Sequence, residues 1–392
     1  MNNWQEIMLG EICDIEIGGT PSRSEERYWW KSSDDGIRLP WVSISDMKRK
    51  VVIDTKESIT ELGASQSNCK HIPKGTLLMS FKLTIGRLAF AGRDLYTNEA
   101  ISAIKPIRSA LPEFLYYGLQ QWNLTGDSDQ AVKGVTLNKQ KLQEIPCLLP
   151  PLPEQKKIIE ILSGVQNNIN AVEEEIVKIE NLEKCLMSSF FSQSGGGDWR
   201  KVPVSDIGRV VRGASPRPKG DPRYYGGRVP RLMVADVTRD GKYVSPRIDY
   251  LTEAGAKLSR PVPAGTLTIV CSGVVGVPSI LSVDACIHDG FLALVDISPE
   301  CTTEYLYYFF KPLQQLFDSS ATHGGIFTNL TTEIMKEFPV FLPPLSRQAE
   351  IVKILNSVEA SRNSLLSKRQ KLVYLFEGIS SDLLSGRQRV SI

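Results

Sequence analysis

The sequence predicts an α+β fold in which two pseudo-repeated mixed α/β domains are joined by two long, coiled-coil-like helices. Three observations carry that expectation: the chain repeats itself once, a heptad of apolar residues follows each copy, and the two heptad segments carry opposite net charge. Its 392 residues suffice for two to three domains, each with its own core. Apolar residues at 42% and charged residues at 23% describe an ordinary globular chain and exclude a disordered or collagen-like one. The stretch MNNWQEIMLGEICDIEIGG has acids among its apolar positions and no basic flank, so it reads as neither signal peptide nor membrane span. A cytoplasmic location is the default expectation.

The repeat has a period near half the chain. Trp4 to Pro21 aligns with Trp199 to Pro216, sharing the Trp, the Ile12/Ile207 pair, the Gly18/Gly213 pair and a hydroxyl-Pro turn. In the same order Pro40 to Asp46 (PWVSISD) answers Pro230 to Asp236 (PRLMVAD), and Ile72 to Leu77 (IPKGTL) answers Val262 to Leu267 (VPAGTL). Glu113 to Tyr117 then answers Glu304 to Tyr308, and LPPLPEQKKIIEIL from Leu149 answers LPPLSRQAEIVKIL from Leu342. Within each half, short apolar runs broken by Gly, Pro and Asp read as a mixed strand-and-helix domain. The divisions expected are a domain over 1–150, a long helix over 151–195, a second domain over 196–342 and a second long helix over 343–392.

Proline suits the first turn of a helix but not its interior, so Pro-Pro-Leu-Pro before Glu154 and Pro-Pro-Leu-Ser before Arg347 each end a strand and open a helix. From Ile158 the apolar residues run Ile158, Leu162, Val165, Ile169, Val172, Ile176 and Ile179, then Leu186 and Phe190, with one gap at Glu183. The second segment carries Ile351, Leu355, Val358, Leu365, Leu372, Phe376, Ile379 and Leu383, with Arg362 and Arg369 replacing the apolar residue at two positions. Alternating steps of four and three mark a seam, and about 40 residues of helix span roughly 60 Å. Ile158, Leu162, Ile169 and Ile176 are the expected pairing residues of the first helix, and Ile351, Leu355, Leu365 and Leu372 those of the second. Residues 151–197 carry four Lys/Arg against seven Asp/Glu and residues 343–392 eight against four, which favours the helices associating with each other. Ser194 to Gly197 reads as a flexible joint.

No catalytic signature is present. Seven scattered cysteines form no CxxC pair and read as reduced, partly buried filler, and the three histidines lie near no second metal ligand, so neither a metal nor a cofactor is expected. Ser272 to Gly276 has two glycines and no following Lys-Ser/Thr, which makes it a turn between buried strands and not a phosphate loop. The Pro-Pro pairs at 150 and 343 lack the Asn or Asp before them and the aromatic after them that amino-methyltransferases use. Glu154-Gln-Lys156 resembles a nuclease fragment, but a helix-capping acid explains it better.

With a net charge of only +2, any nucleic-acid surface has to be local. Between Arg209 and Arg231 lie Arg209, Arg212, Arg217, Lys219, Arg223, Arg228 and Arg231 against the single acid Asp221, interleaved with Tyr224 and Tyr225. Arginine suits such a surface because its guanidinium makes bidentate contacts to guanine or phosphate. The equivalent loop of the first half, from Thr20 through Ser22 and Arg23 to Lys31, is less basic, and Lys48, Arg49 and Lys50 add a second cluster. Lys133, Gly134 and Thr136, and in the second half Gly325 and Thr328, are small, basic or hydroxyl residues that let a backbone approach a phosphate. Ser215 completes the expected DNA-binding set.

The G-G-T-P-S-R loop, the P-W-V-S-I-S-D strand, the I-P-K-G-T segment, Thr97 to Ala100 and the duplicated P-P-L-P-E-Q-K-K-I together resemble the specificity (S) subunit of type I restriction-modification systems, over essentially the whole chain. The resemblance implies two target-recognition domains, each reading half of a split sequence in double-stranded DNA. It also implies that the two helices run antiparallel as a ruler, dock two methyltransferase subunits and join restriction subunits in the full complex, so that catalysis lives in the partners. Ala214-Ser215 in place of Gly-Thr, and His288-Asp289-Gly290 in place of Asn-Glu-Ala, depart from the pattern in the second half. The competing readings are a stand-alone nuclease or methyltransferase, which needs a cofactor motif, and a protein-only assembly adaptor, which needs no basic loop.

Overall fold

The computed structural model describes residues 4–32, 36–107, 110–122, 124, 137–191, 199–312, 314 and 330–391. The chain forms two units, residues 1–172 with 368–392 and residues 173–367. In the first, Gln5–Met8 pairs antiparallel with Pro146–Leu149, so that the domain closes on itself just before the central helix begins. A five-stranded sheet runs in the order Cys13–Ile17, Ile101–Pro106, Leu77–Ser80, Leu88–Ala91, Val51–Val52. A three-stranded sheet runs Glu57–Ile59, Leu39–Val42, Tyr96–Thr97.

Strands Leu77–Ser80 and Leu88–Ala91 are buried at every position, which is why they read as continuous apolar runs. Their alternation divides them between two cores. Leu77, Met79, Leu88 and Phe90 face a cluster with Leu9, Ile15 and Leu115, while Leu78, Ala89 and Ala91 face one with Val42, Met47 and Ile72.

The second unit repeats this plan. Arg200–Pro203 pairs with Pro339–Leu342, and five strands run Arg209–Arg212, Phe291–Val295, Leu267–Val270, Pro278–Leu281, Tyr243–Val244. The smaller sheet has four strands, Asp249–Leu251, Tyr225–Leu232, Ala285–Ile287 and Arg260–Val262. At the place of its last pairing the first unit keeps a single bridge, Ile72 to Leu95. Ser272 to Gly276 is the turn between the buried strands Leu267–Val270 and Pro278–Leu281, and Gly273 and Gly276 both adopt positive φ there.

Each long helix has 40 residues, Leu152–Phe191 and Leu345–Leu384. Both begin with a fully buried glutamine. Gln155 Oε1 accepts from the Leu111 N–H at 2.9 Å and its Nε2 donates to the Pro150 carbonyl at 2.8 Å. Gln348 accepts from the Thr302 N–H at 3.0 Å and donates to the Glu300 and Pro343 carbonyls at 2.7 and 2.9 Å. Glu154 lies in the first turn of the central helix, as expected of an acid at a helix start, and it also makes specific contacts. Its carboxylate takes the Trp4 indole N–H at 3.0 Å and pairs with Arg389, whose guanidinium holds it below the usual carboxylate range.

Within the first unit Ile158 and Leu162 share a cluster with Phe114, Tyr117, Leu383 and Leu384, and Phe376 and Ile379 pack against it. Within the second, Ile351 and Leu355 share one with Met187, and Leu186 and Phe190 pack on it. In each unit the start of one helix meets the end of the other, so the pair is antiparallel. Ile169 and Ile176 are buried and Leu365 and Leu372 half-buried along the same seam. Cys185 lies exposed on the central helix, unlike the buried Cys13, Cys147, Cys271, Cys286 and Cys301.

Both interruptions in the second unit's seam belong to one interaction. Glu183 is buried and accepts from Arg362 at 2.9 Å and Lys311 at 2.7 Å, and Glu359 lies 3.7 Å from Arg362 and 3.9 Å from Lys311. The repeat sets Ile169 opposite Arg362 and Phe376 opposite Glu183 in sequence, so the other end of the seam is apolar at the same two positions. Glu183→Ala therefore removes the nearer acid and leaves Glu359 as the remaining partner of Arg362 and Lys311, and is expected to cost roughly 1–2 kcal/mol, less than a fully uncompensated buried charge because both cations keep Glu359 and stay partly wetted. Glu183→Leu combined with Arg362→Leu should return to within about 1 kcal/mol of the parent. Urea unfolding of the full chain measures both, and an unchanged midpoint for Glu183→Ala would show that the pair adds nothing.

Candidate nucleic-acid interface

The loop that leaves the first strand of each five-stranded sheet lies directly on another segment's backbone. A Cβ at Gly18 would sit 2.3 Å from the Thr97 and Asn98 carbonyl oxygens, and one at Gly213 would sit 2.0 Å from that of His288. Only glycine fits, which explains the pair shared by the two halves. The Gly19 N–H donates to Thr97 O at 2.9 Å and the Ala214 N–H to Ile287 O at 3.1 Å.

This close approach delivers the next side chain to an acid on the neighbouring segment. Thr20 donates its hydroxyl proton to Glu99, and Ser215 donates its own to Asp289. The departures noted in the second half therefore preserve one chemical arrangement, a hydroxyl on a carboxylate. Thr20 and Glu99 are 79 residues apart, so neither motif by itself shows that they belong together. The conservative Thr/Ser and Glu/Asp exchanges at matched positions were the available signal. Partial burial pushes the Glu99 carboxyl up, but the Thr20 hydroxyl, a backbone N–H and the nearby Lys82 and Arg23 together hold it below its ordinary range, while for Asp289 the Ser215 hydroxyl is the largest influence and lowers it.

Beyond that pair the halves diverge. In the first, Arg23 forms a two-pronged ion pair with Glu57, the Nη2 prong being 3.1 Å, and its guanidinium lies 3.7 Å above the Trp29 ring. Trp29 packs edge-on to Trp41 with centroids 5.0 Å apart. The two indole N–H groups are satisfied by loop carbonyls, Trp29 by Ser22 O at 3.1 Å and Trp41 by Gly19 O at 2.9 Å. Ser22 itself meets the Ser24 hydroxyl at 2.7 Å and is exposed.

In the second half Arg231 occupies the position of Trp41 and Asp249 that of Glu57, each pair facing one another across antiparallel strands. Arg231 is buried, with Nη1 donating to Asp249 at 2.5 Å and Nη2 to the Ser215 hydroxyl at 2.7 Å. Arg209 pairs with Asp296 at 2.8 Å. The basic run counted along the sequence thus separates. Arg231 belongs to the fold, Arg209 is matched by an acid, and Arg223 is clasped by Asp221 at 2.6 Å. Arg217, with 74% of its side chain exposed and 3.7 Å from Asp289, remains outward, as do Lys219 and Arg228.

Lys48 and Arg49 are exposed in the turn after Ile44–Asp46. Lys50 is exposed as well, and its side chain also reaches back to the aromatic helix behind the turn. Its ammonium sits 4.8 and 4.9 Å from the Tyr116 and Tyr117 ring centroids and 3.3 Å from the Tyr117 hydroxyl, and partial burial lowers its pKa. Lys242 does the same in the second half, over Tyr308 at 4.5 Å and donating to Asn356 at 2.6 Å. The matched placement marks a packing role, a cation over the aromatic helix that follows the sheet. Lys133, Gly134, Thr136, Gly325 and Thr328 lie outside the described residues, as does the joint over 194–197. Among the described residues no three His, Cys, Asp or Glu side chains come together to hold a metal ion, and no helix is long and apolar enough to cross a membrane.

Comparison with known proteins gives this geometry its relatives. The type I restriction enzyme MjaIX specificity subunit of Methanocaldococcus jannaschii is 27% identical over 48% of this chain and 43% of its own length, so the chain spans less than half of that relative. The MjaX specificity subunit of the same organism, itself named as putative, is 22% identical over 99% of this chain and 94% of its own. A solved chain from work on complex assembly and conformational transition of the type I R-M system superposes with a TM-score of 0.66 at 18% identity, covering 98% of both chains, which establishes a common fold. The family model of the type I restriction modification DNA specificity domain matches twice, over residues 1–181 and 196–373, once for each copy of the repeat; the chain belongs to that family.

Proposed function

We propose that this chain is the DNA-reading specificity subunit of a type I restriction-modification complex, recognising a bipartite target and scaffolding methyltransferase and restriction subunits. One observation carries the reading: a single domain plan occurs twice, with the same glycine, hydroxyl–acid pair and buried glutamine, while the exposed loop chemistry differs between the copies. A duplicated scaffold with different loops is what two unlike half-sites require. The chain is a non-catalytic member of its family, and methyl transfer and cleavage belong to its partners.

Residues 1–150 and 196–342 serve as the two recognition domains, and 151–195 and 343–392 as the spacer and docking helices. Thr20, Ser22, Arg23, Lys48, Arg49 and Lys50 form the DNA-facing set of the first domain. Ser215, Arg217, Lys219, Arg223 and Arg228 form that of the second, with Ser215 acting through Asp289 and Arg231. Two methyltransferase subunits, one per copy, match the duplication of the domain plan. The complex acts on double-stranded DNA in the cytoplasm.

Replacing residues 196–342 by those of a relative, in cells that also carry the methyltransferase partners, should change one half of the methylated sequence and leave the other as it was. Sequencing of methylated adenines reads this directly, and a simultaneous change of both halves would refute modular reading. A seven-residue insertion near Val172 with another near Leu365 preserves both heptad registers and lengthens the helices by roughly 10 Å. The spacer between half-sites should then grow by about three base pairs at 3.4 Å each, with unchanged half-site bases. An active variant that keeps the parental spacer would rule out the helices as a ruler.

A further inference from the structure

The carboxylate at the Glu57/Asp249 position holds an arginine in both halves, but the two arginines differ in what they leave free. Arg231 comes from the strand itself, is 6% exposed, and spends both Nη groups on Asp249 and Ser215. Arg23 comes from the loop and keeps 55% of its side chain in solvent while both its Nη groups are held by Glu57. Its flat face is fixed as well, by the Trp29 ring 3.7 Å away.

An exposed guanidinium fixed along one edge and one face is ready for hydrogen bonding along another. Of its five N–H bonds the Glu57 clasp takes two, and Nε donates to no described residue, so an Nε–Nη edge is open for a bidentate acceptor. Guanine offers such an acceptor pair, O6 and N7, in the major groove. A phosphate contact needs charge more than direction. Pairing the cation with Glu57 spends that charge while keeping the direction, and so favours base reading over phosphate neutralisation. Holding the side chain in advance also removes much of the ordering cost of binding.

We propose that Arg23 is a specificity-determining residue that reads a guanine in the half-site contacted by the first domain, with Glu57 and Trp29 as positioning residues. This rests on the DNA-reading function proposed above. The second domain has only the buried Arg231 at the corresponding place, so it reads no base with that residue.

The test uses the full chain assembled with its methyltransferase partners, with methylated sites mapped for the parent, Arg23→Ala, Arg23→Lys and Glu57→Gln. Discrimination at one G·C position of the first half-site should fall roughly tenfold to a hundredfold in Arg23→Ala. Arg23→Lys, which keeps the charge but loses the fork, should relax the same position. Glu57→Gln should relax it too, although it removes a negative charge from the DNA-facing surface, which a purely electrostatic role would reward with tighter binding. The other positions and the second half-site should stay as in the parent. Unaltered selectivity at every position, an altered A·T position, or a uniform loss across sequences with a shallower salt dependence would each overturn the proposal, the last by showing a phosphate contact. If Arg23→Ala and Arg23→Lys both fail to give a folded chain by circular dichroism, Arg23 is a structural residue and the proposal falls. A parental complex whose methylation pattern does not depend on this chain would instead overturn the DNA-reading function itself.

Discussion

A buried glutamine at the start of each long helix governs where that helix leaves its domain. Gln155 and Gln348 have no exposed surface, and each joins a helix N-terminal turn to a backbone N–H and a backbone carbonyl that no regular strand or helix would satisfy. Leaving any of these groups unpaired in the interior costs about 1–3 kcal/mol, so the arrangement is close to obligatory once the chain has closed. The antiparallel strand pairs Gln5–Met8 with Pro146–Leu149, and Arg200–Pro203 with Pro339–Leu342, bring each domain's ends to that point. Everything downstream, including which helix residues fall on the seam, inherits its angular phase from this junction.

The repeat shares what the fold uses and varies what it leaves over. Gly18 and Gly213 are fixed by the approach of one backbone to another, and Lys50 and Lys242 by a cation placed over a tyrosine pair. Around these constants the loops are free to change, and the contrast between Arg23 and Arg231 shows how. One carboxylate position anchors an exposed arginine in one copy and a buried arginine in the other. Recognition chemistry can therefore diverge without disturbing the scaffold.

How much of this was legible in the sequence follows from the range of each interaction. The repeat, the domain plan and the seam were legible because they are periodic, and apolar residues at steps of three and four lie on one face whatever they touch. The gap at Glu183 and the intrusion of Arg362 were visible as irregularities, but their meaning was not, since 179 residues separate two halves of one ion pair. Within the run from Arg209 to Arg231 the acids that match individual cations are hidden from the sequence for the same reason. Counting charge along the chain finds Asp221 and misses Asp249, Asp289 and Asp296, which come from other strands and turns to meet Arg231, Arg217 and Arg209. Lys50 is surface as the sequence suggests, but its contact with the Tyr116 and Tyr117 rings, more than 60 residues away, is not visible there.

The uneven seam has a consequence for how the helices choose partners. Because the two helices derive from one repeat, each resembles its own mate, and two central helices could in principle pair as the central and C-terminal helices do. The buried charges oppose that. In such a pair Glu183 would face the residue equivalent to Arg362, which is Ile169, and a buried carboxylate would lose its cation. Two C-terminal helices would set Arg362 against Phe376, the equivalent of Glu183, with the same result for the opposite charge. Only the mixed pair gives the Glu183 carboxylate and the Arg362 guanidinium each other as partners. An ion pair that adds little net stability compared with an apolar contact thus still discriminates between pairings, because its cost falls on the wrong ones.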